Sequence, residues 1–373
     1  MSITVERADL VRVRLPLQHA FRTSSHTKQH LDHILVRLTA GGGAVGWGEC
    51  ASPSDPYYGP ESVDTCWPML RDRFVPLLLG AEWTTPDEAT ATGARIRGNE
   101  FARAAVDMAC WDLWTRVSGT SLAVALGATQ PTIEAGVSLG IEPTLDDLLD
   151  EVARHLDDGY RRIKLKIAPG WDVAAVRAVR DRFGDITLQV DANGVYQRAD
   201  TPLLRELDEF DLAMIEQPFQ PADLMAHAQL QALLRTPICL DESIDAAATV
   251  DTVLHLDAAR VINVKVSRLG GLGPAKQVHD VCRSAGVPVW CGGMHEFGVG
   301  RAANVALGAL PGFTLPSDVS GSDKYYLEDV VDPPIRATAG RVPVPYDRPG
   351  LGHDVVEDVV AKYTVAREVI CAS

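Results

Sequence analysis

The 373-residue sequence has no excess of positive charge and no basic stripe. It contains 35 lysines and arginines against 50 aspartates and glutamates, which gives a formal net charge of −15. A strongly acidic chain of this kind is unsuited to nucleic acid or to an anionic membrane surface, so we expect neither as a partner. An anionic substrate would have to be attracted by a local group of cations.

Long apolar runs and paired cysteines are also missing. No uninterrupted apolar segment approaches the length of a membrane span, and residues 1–17 carry charges where a signal peptide would be continuously apolar. The seven cysteines are scattered and without CxxC spacing, and Cys239 and Cys291 stand inside predicted buried strands. We therefore expect a reduced, cytoplasmic protein.

The length and the 46% hydrophobic content predict a sizeable core and two domains. Residues 1–49 alternate as three strands of an antiparallel meander, and residues 61–127 have the apolar spacing of helices. Residues 1–128 therefore predict an α+β domain. Between the first two strands, residues 19–30 (HAFRTSSHTKQH) are predicted as a loop. It is either an ordinary solvated connection or a flap that closes over a site and supplies specificity.

From about residue 132 the pattern changes to a strict alternation of strands and helices. The eight strand candidates are TIEAGVSLG, YRRIKLKI, ITLQVDA, LAMIEQP, PICLDES, RVINVKV, VPVWCGG and FTLPSD. This alternation predicts an α/β fold with a closed parallel (β/α)8-type barrel, which we place at 129–320. The polar tail at 321–373 is predicted to end in a short helix and to pack back on the first domain.

Ionisable residues stand at or just past the ends of these strands. Asp191, Glu216 and Asp241 follow one another at intervals of 25 residues, and Lys265 comes 24 residues later. A strand, a helix and two loops need that much chain, so the spacing indicates βα units whose strand ends share one rim. Asp241 alone would also suit a helix N-cap. Three carboxylates in the same register favour a site for Mg²⁺, which prefers hard oxygen ligands.

Two lysines flank this predicted metal site. Lys166 lies on the second strand and Lys265 on the sixth, between two valines of a buried strand. A lysine near a cation in a partly desolvated barrel mouth has its pKa lowered towards neutrality, and it then serves as a base. A divalent cation stabilises the charge formed when a proton leaves the carbon α to a carboxylate. The set therefore predicts proton removal by one lysine and proton return by the other. Lys166 as an outward, solvated residue is the alternative, but it shares the face of Lys164.

The motifs KxK, DAN, EQP, LDES and NVK, each at a strand end, resemble those of the enolase superfamily, and the opposed lysines resemble its muconate-lactonizing subgroup. FRTS, GWGEC, GVSLGI, IKLKIAPGWD, PICLDESI and PVWCGGM followed by GRAANVAL look like the N-acylamino acid racemase/o-succinylbenzoate synthase family, along nearly the whole chain. The resemblance implies a modified TIM barrel of (β/α)7β type, with an N-terminal α+β capping domain that the C-terminal tail completes. It also implies a homo-oligomer, from a dimer to an octamer.

Roles for single residues follow from the same resemblance. It implies Mg²⁺, or Mn²⁺ or Co²⁺ in its place, bound by Asp191, Glu216 and Asp241, with Lys166 and Lys265 as the acid/base pair. It implies supporting or substrate-binding roles for Lys164, Asn193, Ser138, Arg268, Gly293, Met294, His295 and Phe21. Among these, Arg268 is implied to tune the nearby base. The sequence departs from the family at Val266, where proline is usual, and at His295-Glu296-Phe297. His295 and Phe297 either reshape the pocket or, for His295, lie in solvent.

The substrate that the resemblance implies is a small-molecule carboxylate. With an N-acylamino acid, such as an N-succinylamino acid, the reaction is racemisation. With the menaquinone precursor it is a syn-dehydration to o-succinylbenzoate, in which Lys166 is the base and Lys265 acts mainly as a cation.

Other activities are alternatives to these two. Muconate cycloisomerisation shares both lysines and stays open. A dipeptide epimerase would usually have Asp-x-Asp where this chain reads Ser317-Asp318-Val319-Ser320. A metal-free Schiff-base aldolase would leave the three carboxylates without a role. A non-catalytic binding protein is expected to lack a ligand or a lysine, and none is missing here.

Overall fold

In a computed structural model of the chain, residues 2–22 and 27–372 are described, without the side chains of residues 19–28. Among these residues, no helix combines the length and the apolar composition needed to cross a membrane. The chain forms an antiparallel sheet with helices on it, followed by a barrel of alternating strands and helices. The predicted α/β class is confirmed.

The first sheet begins as an antiparallel meander of β1 (Ile3–Arg22), β2 (Thr27–Ala40) and β3 (Val45–Cys50). β1 and β2 pair as far as Arg22 and Thr27, with a shift of register between Pro16 and Phe21. The prediction of a loop over 19–30 is therefore wrong for most of that stretch, because backbone pairing extends the two strands in spite of the polar sequence. Residues 23–26 and the side chain of Phe21 lie outside the described residues.

Helices of this region pack on one face of the sheet. They are α1 (Val63–Met69), a π-helical turn (Leu70–Phe74), α2 (Val75–Leu78), α3 (Pro86–Ala91), α4 (Glu100–Ser118) and α5 (Leu122–Leu126), with β4 (Glu82–Trp83) between α2 and α3. The long helix α4 lies close against β3. A Cβ atom at Gly48 would come within 1.9 Å of the carbonyl oxygen of Ala105, so only glycine allows this approach.

The barrel contains seven parallel strands in chain order. After β5 (Thr132–Glu134), these are β6 (Val137–Leu139), β7 (Arg162–Lys166), β8 (Thr187–Asp191), β9 (Ile215–Glu216), β10 (Ile238–Leu240), β11 (Val261–Val264) and β12 (Val289–Cys291). The predicted strand TIEAGVSLG is thus two strands, because β5 turns outwards to pair with a strand of the tail. The predicted eighth strand forms only isolated parallel bridges, from Phe313 to Val289 and from Ser317 to Ala135, and so joins the two ends of the curled sheet.

Helices follow most of the strands. They are α6 (Leu145–Asp157), α7 (Val173–Phe183), α8 (Thr201–Glu206), α9 (Leu224–Gln231), α10 (Ala247–Leu256), α11 (Val266–Leu269), α12 (Leu272–Ala285) and α13 (Gly298–Gly308), with 3₁₀ turns at Arg198–Asp200 and Leu207–Phe210. They cover the outside of the sheet, and the strands are buried on both faces, which explains their continuous apolar runs.

The tail returns to the first sheet. Its elements are a 3₁₀ turn (Ser322–Lys324), β13 (Val331–Asp332), β14 (Arg341–Pro343), β15 (Asp354–Val355), α14 (Glu357–Tyr363) and β16 (Thr364–Cys371). β16 pairs with β1, which gives the order β16-β1-β2-β3, and β4 pairs with the start of β1. The prediction that the chain ends in a helix is wrong, because its last residues alternate in exposure as an edge strand does.

Candidate active site

Five of the predicted site residues lie at the carboxyl ends of neighbouring strands. Lys166, Asp191 and Glu216 end β7, β8 and β9, and they are direct partners in the register of the parallel sheet. Asp241 comes directly after β10, and Lys265 comes directly after β11. Because parallel strands expose their carboxyl ends on the same rim, the fold brings these side chains into one barrel mouth.

Lys166 is held by residues of the barrel. Its Nζ atom donates to Asp191 Oδ2 and to Asn193 Oδ1, both at 2.6 Å. Asn193 has a positive φ of 46°, a conformation that asparagine tolerates, and its side-chain amide donates to Glu242 at 2.8 Å. Asn193 therefore holds the Lys166 ammonium beside Asp191. This residue is the first in the row of acids formed by Asp191, Glu216 and Asp241.

Lys265 is the counterpart at the other end of the acidic row. Its Nζ donates to Asp241 Oδ2 at 2.7 Å. Burial disfavours the ammonium form, but the attraction of Asp241 outweighs it and raises the pKa of Lys265 well above its ordinary value. This direction is opposite to the lowering that we expected beside a metal cation, because the nearest full charge to Lys265 here is a carboxylate.

Arg268 also belongs to the site, as the resemblance implied. Its guanidinium donates to Asp241, to the carbonyl oxygen of Ile244 at 2.6 Å and to that of Asn263 at 2.5 Å. Burial disfavours the charged form of Asp241, but Lys265 and Arg268 outweigh it and lower the pKa of this carboxyl. Asp241 is therefore ionised and bound by two cations.

Glu216 lies in the middle of the row and is fully buried. Its carboxylate accepts from Asn263 Nδ2 at 2.8 Å and from Lys164 Nζ at 3.1 Å. Burial and the neighbouring charges of Asp191 and Asp241 raise the pKa of Glu216 to about 8. A third negative charge is thus disfavoured at this position unless further positive charge is brought in.

The donor set suits a divalent cation in its chemistry. Asp191, Glu216 and Asp241 supply hard carboxylate oxygens from three successive strand ends, and all three are almost completely buried. Within residues 2–22 and 27–372, however, no three His, Cys, Asp or Glu side chains are arranged as they would be around a metal ion. Lysine head groups lie against the outer two acids instead, so a bound cation would compete with Lys166 and Lys265.

Asp318 and the ring of Trp290 lie against Lys164 inside the barrel. The Lys164 ammonium lies 2.6 Å from Asp318 and 4.7 Å from the ring centre of Trp290. Asp318 also accepts from Ser138 Oγ at 3.1 Å and from Arg162 at 2.7 Å. The sequence patterns do not predict Asp318 as a site residue, although it stands where dipeptide epimerases have Asp-x-Asp. Its position at the end of the eighth strand candidate is the signal that would have found it.

The residues after β12 that were predicted to contact substrate, Gly293, Met294 and His295, lie in a loop over 292–297. This loop runs between the barrel and the first domain. His295 has a φ of 62° and its ring stacks on Tyr325 at 4.8 Å, while its carbonyl oxygen accepts from Tyr326. Met294 packs against the core of the first domain. A Cβ atom at Gly293 would lie 3.2 Å from the carbonyl oxygen of Asp318, which is a tight contact.

Phe297 is a packing residue. It is fully buried, with its ring centre 4.4 Å from that of His33 and 5.4 Å from that of Tyr326. Phe297 thus packs beneath the loop, and its influence on the shape of the pocket stays a prediction.

Glu49 of β3 anchors this loop, and sequence reasoning missed it. Its buried carboxylate accepts from the backbone N–H groups of Phe297 at 2.8 Å and Gly300 at 2.7 Å, and it pairs with His33 at 2.7 Å. Glu49 therefore caps the amino end of α13 from the neighbouring domain. The signal was its place in the buried strand GWGEC, where an unpaired acid would be costly.

Comparisons with known proteins agree with this architecture. Residues 3–127 match the mandelate racemase/muconate lactonizing enzyme N-terminal domain, and residues 147–359 match the enolase C-terminal domain-like family. An o-succinylbenzoate synthase of Geobacillus kaustophilus is 46% identical over 364 residues, which are 98% of this chain and 97% of that protein. An N-succinylamino acid racemase of an Amycolatopsis species is 45% identical over 360 residues, 96% of this chain and 97% of the relative.

The structural comparison gives the same result. A solved structure of an enolase-superfamily member from Listeria innocua has a TM-score of 0.96 and 38% identity, with 100% of both chains covered. The chain belongs to the mandelate racemase/muconate lactonizing enzyme family of the enolase superfamily. It is an enzyme of this superfamily, and its relatives include both o-succinylbenzoate synthases and N-succinylamino acid racemases.

Proposed function

We propose that the protein removes a proton α to a carboxylate, and that its substrates are N-succinylamino acids, the precursor of o-succinylbenzoate, or both. The observation that carries this proposal is the placement of two lysine ammoniums, Lys166 and Lys265, at the two ends of one buried row of acids. The names of the relatives at 45–46% identity, a racemase and a synthase, support this substrate class.

The proposed catalytic roles of the lysines follow from the residues that each of them contacts. Lys166 in its neutral form takes the proton from the α-carbon, and Lys265 as an ammonium gives a proton to the opposite face, which inverts an N-acylamino acid. In the dehydration Lys166 takes the α-proton and gives it to the hydroxyl group on the same face, which leaves as water, while Lys265 stays a cation. Lys164, enclosed by carboxylates and by Trp290, remains an ammonium and attracts the anionic substrate.

Asp191, Glu216 and Asp241 are the residues that we propose to hold Mg²⁺, for which Mn²⁺ or Co²⁺ would substitute. When bound, the cation supplies positive charge close to the substrate carboxylate and thereby makes the α-proton more acidic. The raised pKa of Glu216, caused by burial and by the neighbouring Asp191 and Asp241, supports a position at which added positive charge is favourable.

The test is α-proton exchange followed by ¹H NMR in D₂O with Mg²⁺, on separate samples of L- and D-N-succinyl and N-acetyl amino acids, alongside the synthase precursor. We expect both enantiomers of the N-succinyl substrate to lose the α-proton and their optical rotation to decay. Lys166→Ala is expected to stop the exchange of one enantiomer and the dehydration. Lys276→Ala, a lysine paired with Asp280 on the surface, is the matched control and is expected to leave the rates unchanged. No reaction with any substrate by folded, Mg²⁺-loaded enzyme would refute the proposal.

Muconate cycloisomerisation is the second candidate. A muconate cycloisomerase of Rhodococcus opacus matches 98% of the chain, at a lower identity of 31%. Loss of the ultraviolet absorbance of cis,cis-muconate with a kcat/KM above that for the N-succinyl substrates would favour this activity over the first.

We further propose a homo-oligomer, from a dimer to an octamer, in the cytoplasm. The cysteines support a reducing compartment, because none of the seven forms a disulfide in the described part of the chain and six of them are buried. Gel filtration with light scattering tests the assembly, and a monomer at micromolar concentration would contradict it.

A further inference from the structure

Tyr58 reaches the barrel mouth from the segment between β3 and α1. Its hydroxyl lies 2.8 Å from Asp241 Oδ1, 3.3 Å from Lys265 Nζ and 3.2 Å from Arg268 Nη1. Its ring centre lies 4.6 Å from the Lys265 ammonium. Tyr58 is thus the contact through which the capping domain meets one of the two proposed acid/base lysines.

The hydrogen-bond capacity of the hydroxyl is completely used. An ammonium and a guanidinium only donate, so the single hydroxyl hydrogen goes to the Asp241 carboxylate and the two lone pairs accept from Lys265 and Arg268. The ring packs edge-on against Phe101 at 6.2 Å, in the first turn of α4. The backbone N–H of Phe101 is in turn bound by Glu61 at 3.0 Å. Tyr58 is therefore in contact with the capping domain through its ring and with the barrel through its hydroxyl.

Lys166 has a different environment. Among the described residues, the Lys166 ammonium donates to Asp191 and Asn193, which both belong to the barrel. Lys265 has a long flexible side chain, and its Nζ is placed by Asp241 on one side and by the hydroxyl and ring of Tyr58 on the other. A change at Tyr58 should therefore affect one lysine and leave the other in position.

We propose that Tyr58 is a positioning residue that orients Lys265 for its proton transfer and has no part in the transfer by Lys166. This inference rests on the proposed function, in which each lysine serves one face of the substrate. It predicts an asymmetry between the two enantiomers, because the enantiomer whose α-proton faces Lys265 depends on the alignment of that ammonium and the other does not.

The variant Tyr58→Phe removes the hydroxyl and keeps the ring. The enantiomer served by Lys265 is first identified as the one whose α-proton exchange is lost in Lys265→Ala. At saturating Mg²⁺, Tyr58→Phe is expected to slow exchange of that enantiomer by about tenfold or more and to change the other by less than about twofold. Dehydration of the synthase precursor, which needs only Lys166 as base, is expected to stay within about twofold of wild type.

Two further variants make the outcome decisive. Tyr57→Phe alters the neighbouring tyrosine, which is 64% exposed, and is expected to leave both rates unchanged. Tyr58→Leu removes the ring as well and is expected to slow the same enantiomer further. Equal slowing of both enantiomers, or no slowing by either Tyr58 variant, would overturn the assignment. Wild-type enzyme that exchanges neither enantiomer would overturn the proposed function, and this inference with it.

Discussion

The carboxylate of Asp318 lies 2.6 Å from the ammonium of Lys164, in the interior of the barrel. Burial disfavours the charged lysine, but Asp318, Glu216 and Asp191 together raise its pKa far above the ordinary value. These carboxylates therefore favour the ammonium form of Lys164. Lys166, the other lysine of the KxK motif, has fewer acidic partners and is more exposed.

Asp318→Asn is expected to destabilise the protein by about 3–5 kcal/mol, because it leaves Arg162 and Lys164 buried with one carboxylate fewer. Urea unfolding followed by circular dichroism measures the change. The matched control is Asp323→Asn, which breaks a pair with Arg336 in which the two side chains are 48% and 65% exposed. Exposed pairs contribute less than about 1 kcal/mol. Equal destabilisation by both variants would contradict the role given to Asp318.

Glu49→Ala is expected to destabilise the protein by about 1–3 kcal/mol, because the N–H groups of Phe297 and Gly300 lose their acceptor in a buried environment. Loosening of loop 292–297 is expected to raise KM more than it lowers kcat, if Gly293, Met294 and His295 contact substrate as the family resemblance implies. Steady-state kinetics and urea unfolding measure the two effects. Glu49→Gln keeps one acceptor oxygen and is expected to fall between wild type and Glu49→Ala. An unchanged KM in a destabilised Glu49→Ala would show that the cap supports the fold alone.

The row of acids could be predicted from the sequence because its geometry is local. Each of Asp191, Glu216 and Asp241 needs only the end of its own strand, and the equal spacing of repeated βα units places them side by side. The direction of the Lys265 pKa could not be predicted in the same way. It depends on which charge lies within 3 Å, and Asp241 occupies that position.

Contacts between the domains were beyond the sequence patterns. Tyr58 and Glu49 are far from their barrel partners along the chain, and nothing in their own segments specifies Asp241 or Phe297 as a neighbour. The same holds for β16, whose short alternating run becomes a strand only because β1 offers an edge to it. Local patterns specify elements and repeats, whereas tertiary pairing decides where irregular segments lie.

We expect the stability of the protein to depend on pH through His227 of α9. Its Nδ1 donates to the carbonyl oxygen of Asp223 at 2.9 Å and its Nε2 accepts from the backbone N–H of Phe219 at 3.3 Å, so the bound imidazole is neutral. Burial lowers the pKa of His227 from 6.5 to about 4. Between these two pKa values the unfolded chain is protonated at His227 and the folded protein is not. The free energy of unfolding therefore falls as the pH drops from about 6.5 towards 4.

His227→Gln is expected to reduce this loss by about 1–2 kcal/mol between pH 7 and pH 5, because glutamine does not titrate there. Urea unfolding at the two pH values, for wild type and variant, gives the difference. The exposed His255 is the control, and His255→Gln is expected to keep the pH dependence of wild type. An equal loss of unfolding free energy between the two pH values in wild type and His227→Gln would contradict a neutral His227 in the folded state.

Binding of Mg²⁺ is expected to stabilise the EDTA-treated protein by about 2.7 kcal/mol at a concentration of 100 times Kd, by mass action on the folded state. The rise in Tm on addition of Mg²⁺ measures this. Glu216→Gln removes a charged ligand from the centre of the row and is expected to abolish most of the rise, whereas Glu328→Gln, a surface acid paired with Lys362, is expected to keep it. Lys265→Ala is expected to show a larger rise than wild type, because its ammonium no longer competes for Asp241. A rise that is the same in Glu216→Gln and wild type would place the cation elsewhere.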